Sequence, residues 1–334
     1  MTLANIQSGS HVPAGSLGLN LHDFSPDMRT FYAEVIAGLQ SESKSLPCKY
    51  LYDDRGSKLF DDICNLVEYY PTRIELTIMR DWVSEIAELL GERCRLVEYG
   101  SGNSLKTRIL LERLKDMAAY VPVDISRSHL LASAQRLAVD YPNVLLQPVC
   151  ADYTVSFTLP TTPTHVDTTV VYFPGSTIGN FHPLEAREFL KRIAGQCGFG
   201  GGLLIGVDLM KDPAVLHAAY NDSRGVTADF NRNILTRINR ELGGDFLTNR
   251  FDHSAFYNVF QGRVEMHLVS LQAQTVRVGG EIFHFDEGET IHTECSYKYS
   301  VEEFADLAQS AGFTVVSIWT DPENLFSVQY LKVA

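Results

Sequence analysis

The chain has 334 residues and a formal net charge of −13 at pH 7. This length is enough for one large domain or two associated ones with a sizeable core. The negative charge repels polyphosphates and argues against a nucleic-acid partner, and no apolar run approaches the roughly 20 residues of a membrane helix.

The first residues, MTLANIQSGSHVPAGSLGLN, carry neither the basic region nor the apolar core of a signal peptide, and we expect residues 1–19 to be flexible. The six cysteines have no CxxC spacing, which indicates reduced thiols in a cytoplasmic protein. The ten histidines show no metal-like spacing, so no metal is expected. We assign four of them to packing or to the surface: His182, His267, His284 and His292.

Helices broken by loops are predicted for residues 23–90, and strands alternating with helices follow from about residue 95. The predicted strands cover 96–99, 120–125, 144–149, 168–173 and 203–209, and the predicted helices cover 104–117, 126–139 and 184–194. Near-continuous apolar strands that alternate with helices are typical of a doubly wound parallel sheet.

The pattern changes after residue 209. We predict a helical segment over 213–242 with an interruption near Gly225, and an antiparallel meander over 250–299. A helix over 301–311 and strands over 314–319 and 326–333 then complete the sheet. Residues 211–298 are therefore interpreted as an insertion that forms a second lobe with the N-terminal helices.

The segment EYGSGNSLKT, residues 98–107, joins the first strand to the first helix, where doubly wound sheets bind ligands. A P-loop would need glycine where Leu105 stands, although Lys106 and Thr107 match. A dinucleotide-binding turn would need its third glycine at the same position. Both are therefore less favoured than a ligand without phosphate, such as S-adenosylmethionine, or a tight turn that binds nothing.

Two aspartates follow the next strands. Asp124 ends the second strand, 22 residues after Gly102, where a carboxylate accepts hydrogen bonds from ribose hydroxyls. Asp152 follows the third strand, within reach of an adenine amino group. Three such signals at successive strand ends favour the nucleoside ligand.

Longer motifs carry a family resemblance. They are YDDRGS at 52–57, EYYPTR at 68–73, GSG at 100–102, GSTIGN at 175–180, GVT at 225–227, FNRN at 230–233 and TECS at 293–296. Together they resemble the histidine Nα-methyltransferases of ergothioneine biosynthesis from about residue 45 onward, although Val67 replaces an expected proline. The resemblance implies a class I S-adenosylmethionine methyltransferase (Rossmann-like) core, 74–210 and 299–334, with an inserted α+β substrate-binding lobe, 20–73 and 211–298.

The resemblance also implies roles for individual residues. The cofactor would contact Gly100, Ser101, Lys106, Asp124, Asp152 and Tyr153. The acceptor would contact Tyr52, Phe60, Tyr69, Gly175, Asn180, Tyr220, Met266, Glu294 and Ser296, with Tyr52 and Tyr69 also catalytic. In the family, the residues matching Asn180 and Tyr220 hold the substrate carboxylate, and those matching Glu294 and Ser296 hold the imidazole. Three successive transfers then give Nα,Nα,Nα-trimethylhistidine.

The chemistry supports these roles independently. Methyl transfer from a sulfonium is an in-line displacement that needs neither a metal nor a protein nucleophile. Ser296 lies two residues after Glu294, so both side chains point to the same side of a strand. Tyr52, Phe60 and Tyr69 are predicted to form an aromatic wall that stabilises the methylated amine through cation–π contact. No general base is identified, and the proton leaves to water or a tyrosine.

Two alternatives differ from this prediction. A methyltransferase for tryptophan or tyrosine would have less use for a buried carboxylate at position 294. A non-catalytic amino-acid or nucleoside sensor could have the same fold. We expect a cytoplasmic monomer that acts on L-histidine and binds neither nucleic acid nor membrane.

Overall fold

The computed structural model describes residues 10–14, 19–25, 27–102 and 104–334. The strands are β1 (Ser10–Ala14), β2 (Leu19–Phe24), β3 (Cys94–Tyr99), β4 (Ala119–Asp124), β5 (Val149–Ala151), β6 (Thr168–Phe173), β7 (Gly202–Asp208), β8 (Phe251–Asn258), β9 (Arg263–Ser270), β10 (Gln274–Val278), β11 (Glu281–Phe285), β12 (Thr290–Tyr297), β13 (Phe313–Thr320) and β14 (Phe326–Val333). The helices are α1 (Met28–Gln40), α2 (Asp54–Cys64), α3 (Tyr70–Leu90), α4 (Leu105–Arg113), α5 (Arg127–Asp140), α6 (Pro183–Cys197), α7 (Pro213–Tyr220), α8 (Val226–Leu242) and α9 (Val301–Ser310).

The chain divides into two compact units. The first unit takes in the described residues up to Ser25, with Pro71–Met210 and Tyr299–Ala334. The second unit takes in Pro26–Tyr70 and Lys211–Lys298. Among the described residues, none of the helices combines the length and apolar character that crossing a membrane requires.

The first unit is built on one sheet in the order β1-β2-β5-β4-β3-β6-β7-β14-β13. The strands from β2 to β7 pair in parallel, and the terminal hairpin β13–β14 pairs antiparallel with β7. Because β3 has β4 on one side and β6 on the other, the strand order reverses there, and ligands bind at such a reversal. This topology confirms the predicted class I core.

The third strand of the core differs from its prediction. Residues 144–149 were expected to form it, whereas β5 covers only Val149–Ala151 and an isolated bridge joins Leu146 to Tyr120. Pro148 separates the two pairings because it has no N–H to donate to the sheet.

The N-terminal expectations also need correction. Ser10–Ala14 and Leu19–Phe24 form an antiparallel hairpin, and the second of these strands extends the central sheet by pairing in parallel with β5. Residues 20–25 therefore belong to the first unit rather than to the predicted substrate-binding lobe, and residues 10–14 form a strand rather than a flexible tail. Leu21 anchors the strand because its side chain is fully buried. The rest of the flexible segment predicted over 1–19 lies outside the described residues.

The second unit combines helices with two antiparallel sheets. One sheet has the order β12-β9-β8 and the other pairs β10 with β11, which confirms the predicted meander. The helical segment predicted over 213–242 divides into α7 and α8, and Gly225 precedes α8 in the left-handed region at φ +72°.

Asp53 joins two helices of the second unit. Its carboxylate caps α2 by accepting the Gly56 N–H at 2.7 Å, and it accepts hydrogen bonds from Asn233 and Arg240 of α8, also at 2.7 Å. These donors hold the pKa of Asp53 below its usual range against the opposing effect of burial. Tyr52 lies directly before Asp53, and Phe60 lies on the capped helix.

Candidate active site

The glycine-rich turn begins where β3 ends. Gly100 and Gly102 have φ values of +71° and +47°, which residues other than glycine rarely adopt. The Gly100 N–H donates to the Val123 carbonyl oxygen at 2.9 Å, which holds the turn against β4. Asn103 of the motif lies outside the described residues.

Asp124 fixes the same turn from the neighbouring strand. Its carboxylate accepts the N–H of Gly102 at 3.2 Å and that of Ser126 at 2.9 Å. Burial raises the pKa of Asp124, whereas the two backbone donors act in the opposite direction. The carboxylate thus lies beside the turn, where the sequence placed a ribose ligand.

The turn carries an unsatisfied polar atom. The hydroxyl oxygen of Ser101 is buried and has no hydrogen-bond partner in the part of the chain that the structure describes. Such an atom destabilises the fold unless a ligand bonds to it. Together with the left-handed glycines and the Asp124 carboxylate, it suits the nucleoside and amino-acid groups of S-adenosylmethionine.

The residues after β5 form an aromatic surface. Tyr153 stacks on Tyr99 with 5.3 Å between ring centroids and 8° between ring planes. A β-carbon at Gly100 would lie 3.9 Å from the Tyr153 ring, so the turn and the ring are neighbours. Asp152 is buried, and one oxygen of its carboxylate accepts the Thr154 N–H at 2.9 Å. Both residues thus lie at the strand end where adenine was expected.

Lys106 is held by a residue that the sequence analysis missed. Its ammonium forms an ion pair with Glu75 of α3, a side chain that is fully buried. The two carboxylate oxygens of Glu75 also accept the N–H of Gly175, at 3.2 and 3.0 Å. Glu75 therefore joins the start of α4 to the segment after β6. Periodicity places Glu75 on a helix, but its partners lie 31 and 100 residues away in the sequence.

Asn180 ends a short 3₁₀ turn, Thr177–Asn180, after β6. The N-cap of α6 is His182, whose N–H donates to Glu185 at 3.0 Å, so Asn180 is not the helix cap. Asn180 is half-buried. Its proposed contact with the acceptor carboxylate stays a prediction.

The predicted aromatic wall exists in the second unit. Phe60 lies between Tyr52 and Tyr69, with centroid distances of 5.5 and 6.2 Å. Tyr220, at the end of α7, extends the wall at 6.5 Å from Tyr69. Phe230 of α8 completes it, with its ring centroid 5.4 Å from that of Tyr52. The FNRN motif, which contains Phe230, did not indicate this role. These five rings are called the aromatic wall below.

β12 carries the predicted ring-binding pair. Glu294 and Ser296 are both buried, and Met266 lies directly opposite Glu294 on β9. Burial raises the pKa of Glu294 to about 7, although the charge of Lys298 opposes the shift. β12 and β9 therefore present a carboxylate, a hydroxyl and an apolar side chain together.

Lys298 is a second residue that the sequence analysis missed. It is 2% exposed, and its ammonium donates to the Ser296 hydroxyl at 2.7 Å and to the Tyr220 hydroxyl at 3.2 Å. Because Ser296 accepts this bond, its own O–H is left to donate elsewhere. The sequence could have indicated Lys298, because side chains two residues apart on a strand point to the same face, and Lys298 comes two residues after Ser296.

The chain is similar to known proteins over most of its length. A family model described as histidine-specific methyltransferase, SAM-dependent, matches residues 31–333. The histidine N-alpha-methyltransferase of Mycolicibacterium smegmatis is 41% identical over 301 residues, which cover 88% of this chain and 92% of that protein. That of Mycobacterium tuberculosis is 41% identical over 304 residues, with 88% and 92% covered. Ergothioneine biosynthesis protein 1 of Neurospora crassa is 32% identical over 287 residues, which cover 83% of this chain and 32% of that protein.

Proposed function

Because the chain belongs to the family of histidine-specific, S-adenosylmethionine-dependent methyltransferases, we propose that it trimethylates the α-amino nitrogen of free L-histidine. The product is Nα,Nα,Nα-trimethylhistidine (hercynine), and the name of the Neurospora crassa relative supports a place at the start of ergothioneine biosynthesis. The observation that carries the choice of histidine is the buried carboxylate of Glu294 beside the Ser296 hydroxyl.

The first unit supplies the cofactor ligands in this proposal. S-adenosylmethionine, when bound, supplies an electrophilic methyl group. Ser101 would donate its unpartnered hydroxyl, Asp124 would accept from the ribose, and Asp152 and Tyr153 would hold the adenine. The backbone of Gly100 lets the chain approach closely, and Lys106 reaches the same strand ends from its ion pair with Glu75.

The second unit supplies the ligands for the imidazole. Glu294, when ionised, accepts the ring N–H, and the free O–H of Ser296 donates to the other ring nitrogen. Met266 packs beside Glu294 and excludes water from this contact. A tryptophan or tyrosine side chain would leave Ser296 or Glu294 without a matching partner, which is costly in a buried site.

The aromatic wall acts on the amine. Methyl transfer needs the neutral amine roughly 3–3.5 Å from the methyl carbon, and an apolar setting lowers the pKa of an amine by disfavouring its charged form. Each transfer then leaves a more substituted, positively charged nitrogen that the π faces of Tyr52 and Tyr69 stabilise. Before each of the three transfers the ammonium loses one proton to water, either directly or through a tyrosine hydroxyl that passes its own proton on as it accepts this one.

Steady-state kinetics with purified protein test the acceptor assignment. The specificity constant kcat/KM for histidine should exceed those for tryptophan and tyrosine by at least about 100-fold, as expected when a buried polar group loses its partner. Equal constants for the three amino acids would reject histidine as the acceptor while leaving the methyltransferase assignment unaffected.

The pH dependence follows from Glu294. Its pKa is raised by burial to about 7, so below that pH the carboxyl gains a proton and loses the charge that accepts the ring N–H. Between about pH 8 and about pH 6 its ionised fraction falls about tenfold, and KM for histidine should rise by the same factor. In Glu294→Gln, KM for histidine should not show this rise, and its pH dependence should reflect only the titration of histidine itself. If the wild type and Glu294→Gln gave the same dependence of KM on pH, the role of Glu294 would be contradicted.

Lys298 is expected to contribute to acceptor binding through Tyr220 and Ser296. Lys298→Met should raise KM for histidine by about tenfold, since one charge-assisted hydrogen bond is worth ~1.5–3 kcal/mol and part of it is recovered by water. KM for S-adenosylmethionine should stay unchanged. Lys332→Met, at an exposed position of β14, is the matched control. An unchanged KM for histidine in Lys298→Met would assign Lys298 to stability alone.

We further propose that the protein works as a monomer in the cytoplasm. The six cysteines are scattered along the sequence without CxxC spacing, which supports a reducing compartment.

A further inference from the structure

A second cluster of polar side chains lies on the other face of the sheet that carries Glu294. Glu265 and His267 alternate with Met266 along β9, so they point away from the acceptor residues. His292 of β12 lies directly opposite His267 and shares its face. The register shifts between His292 and Glu294, and this bulge turns the two side chains to opposite faces although they are two residues apart.

The three side chains can converge on one point. One ligand atom from each of Glu265, His267 and His292 lies within 4.8 Å of the others. Nε2 of His267 is 3.1 Å from Oε2 of Glu265, and the two imidazole centroids are 5.0 Å apart. Nε2 of His292 is buried and has no hydrogen-bond partner among the described residues.

Neighbouring groups orient two of these side chains. The other oxygen of Glu265, Oε1, accepts hydrogen bonds from Arg263 at 2.9 Å and from Asn258 at 3.0 Å, which leaves Oε2 directed at the histidines. Phe256 stacks on the His267 ring with 5.4 Å between centroids and 11° between planes. Such outer contacts are what hold the ligands of known metal sites in place.

We propose that Glu265, His267 and His292 form a binding site for a divalent transition-metal ion. Two imidazole nitrogens and one carboxylate oxygen are ligands that suit zinc, nickel or cobalt, with water at the remaining positions. The ion would replace the hydrogen bond between His267 and Glu265 and would clamp β9 to β12. The site is separate from the methyl-transfer chemistry, which needs no metal. His267 and His292, assigned from the sequence to packing or the surface, thereby gain a function.

Titration with Co²⁺ tests the site on the full chain. The wild-type protein should bind one equivalent with the visible spectrum of nitrogen and oxygen ligands and without a thiolate charge-transfer band. His267→Gln and His292→Gln should each weaken binding at least about tenfold, as loss of a ligand or its support does. His284→Gln is the matched control, since His284 lies on the exposed side of β11. No saturable binding by the wild type, or equal binding by all variants, would overturn the proposal.

A second measurement keeps the test valid if a variant fails to fold. The unaltered protein with Cu²⁺ and ascorbate undergoes oxidation at histidines that bind the copper, and peptide mass spectrometry locates the modified rings. His267 and His292 should be oxidised before His284. Oxidation concentrated on His284 or on other exposed histidines would show that the ion binds elsewhere and would reject the cluster.

Discussion

Glu294→Ala is expected to raise KM for histidine by roughly 10- to 150-fold, the equivalent of the ~1.5–3 kcal/mol that a hydrogen bond to a charged group contributes. The carboxylate is buried on β12, where its loss leaves the imidazole N–H of the bound substrate without an acceptor. The maximal rate should change by no more than a few-fold, because Glu294 binds the ring and not the reacting nitrogen. Initial rates over a range of histidine concentrations separate the two parameters.

Two companion variants sharpen the Glu294 experiment. Glu294→Gln keeps the volume and one acceptor oxygen, so its KM should fall between those of the wild type and Glu294→Ala. Glu281→Ala removes a carboxylate at an exposed position of β11 and should leave KM unchanged. A wild-type KM in Glu294→Ala would exclude Glu294 as the imidazole ligand.

Glu75→Ala is expected to lower the free energy of unfolding by about 3–5 kcal/mol, because it leaves a partly buried ammonium without its counter-charge. The Glu75 side chain is 0% exposed. Lys106, which loses its ion-pair partner in this variant, is 16% exposed. The Gly175 N–H also loses both of its carboxylate acceptors. Urea unfolding followed by circular dichroism measures the change, with an unaltered m-value as the sign of a pure stability effect.

The same helix offers a control for Glu75. Glu85 lies on the exposed side of α3, and Glu85→Ala should change stability by less than about 0.5 kcal/mol. Glu75→Gln should be intermediate, since its amide oxygen can still accept the Gly175 N–H. A loss below about 1 kcal/mol in Glu75→Ala would mean that the ion pair does not hold the two segments together.

Local patterns predicted the parts of the molecule that depend on neighbours in sequence. Strand and helix periodicities located the parallel sheet, and the spacing from Gly102 to Asp124 placed the carboxylate beside the turn, where the structure bonds the two at 3.2 Å. The two-residue step from Glu294 to Ser296 likewise placed both side chains on one strand.

Features that depend on contacts between residues far apart in the chain could not be predicted from the sequence. Nothing local to α3 shows that Glu75 meets Lys106 and Gly175. The polar residues of LNLHDF concealed a strand that pairs with β5. The bulge after His292 reverses the side on which that ring lies, and only the register of β9 and β12 reveals it.

The most direct test of the proposed activity is an end-point reaction of the purified protein with S-adenosylmethionine and an equimolar mixture of the proteinogenic amino acids, analysed by mass spectrometry. Histidine alone should gain mass, and the gain should equal three CH₂ units, because each methyl group added to the α-nitrogen is accompanied by the loss of one proton. Methylation of a different amino acid, or no methylated product from protein that binds S-adenosylmethionine, would contradict it.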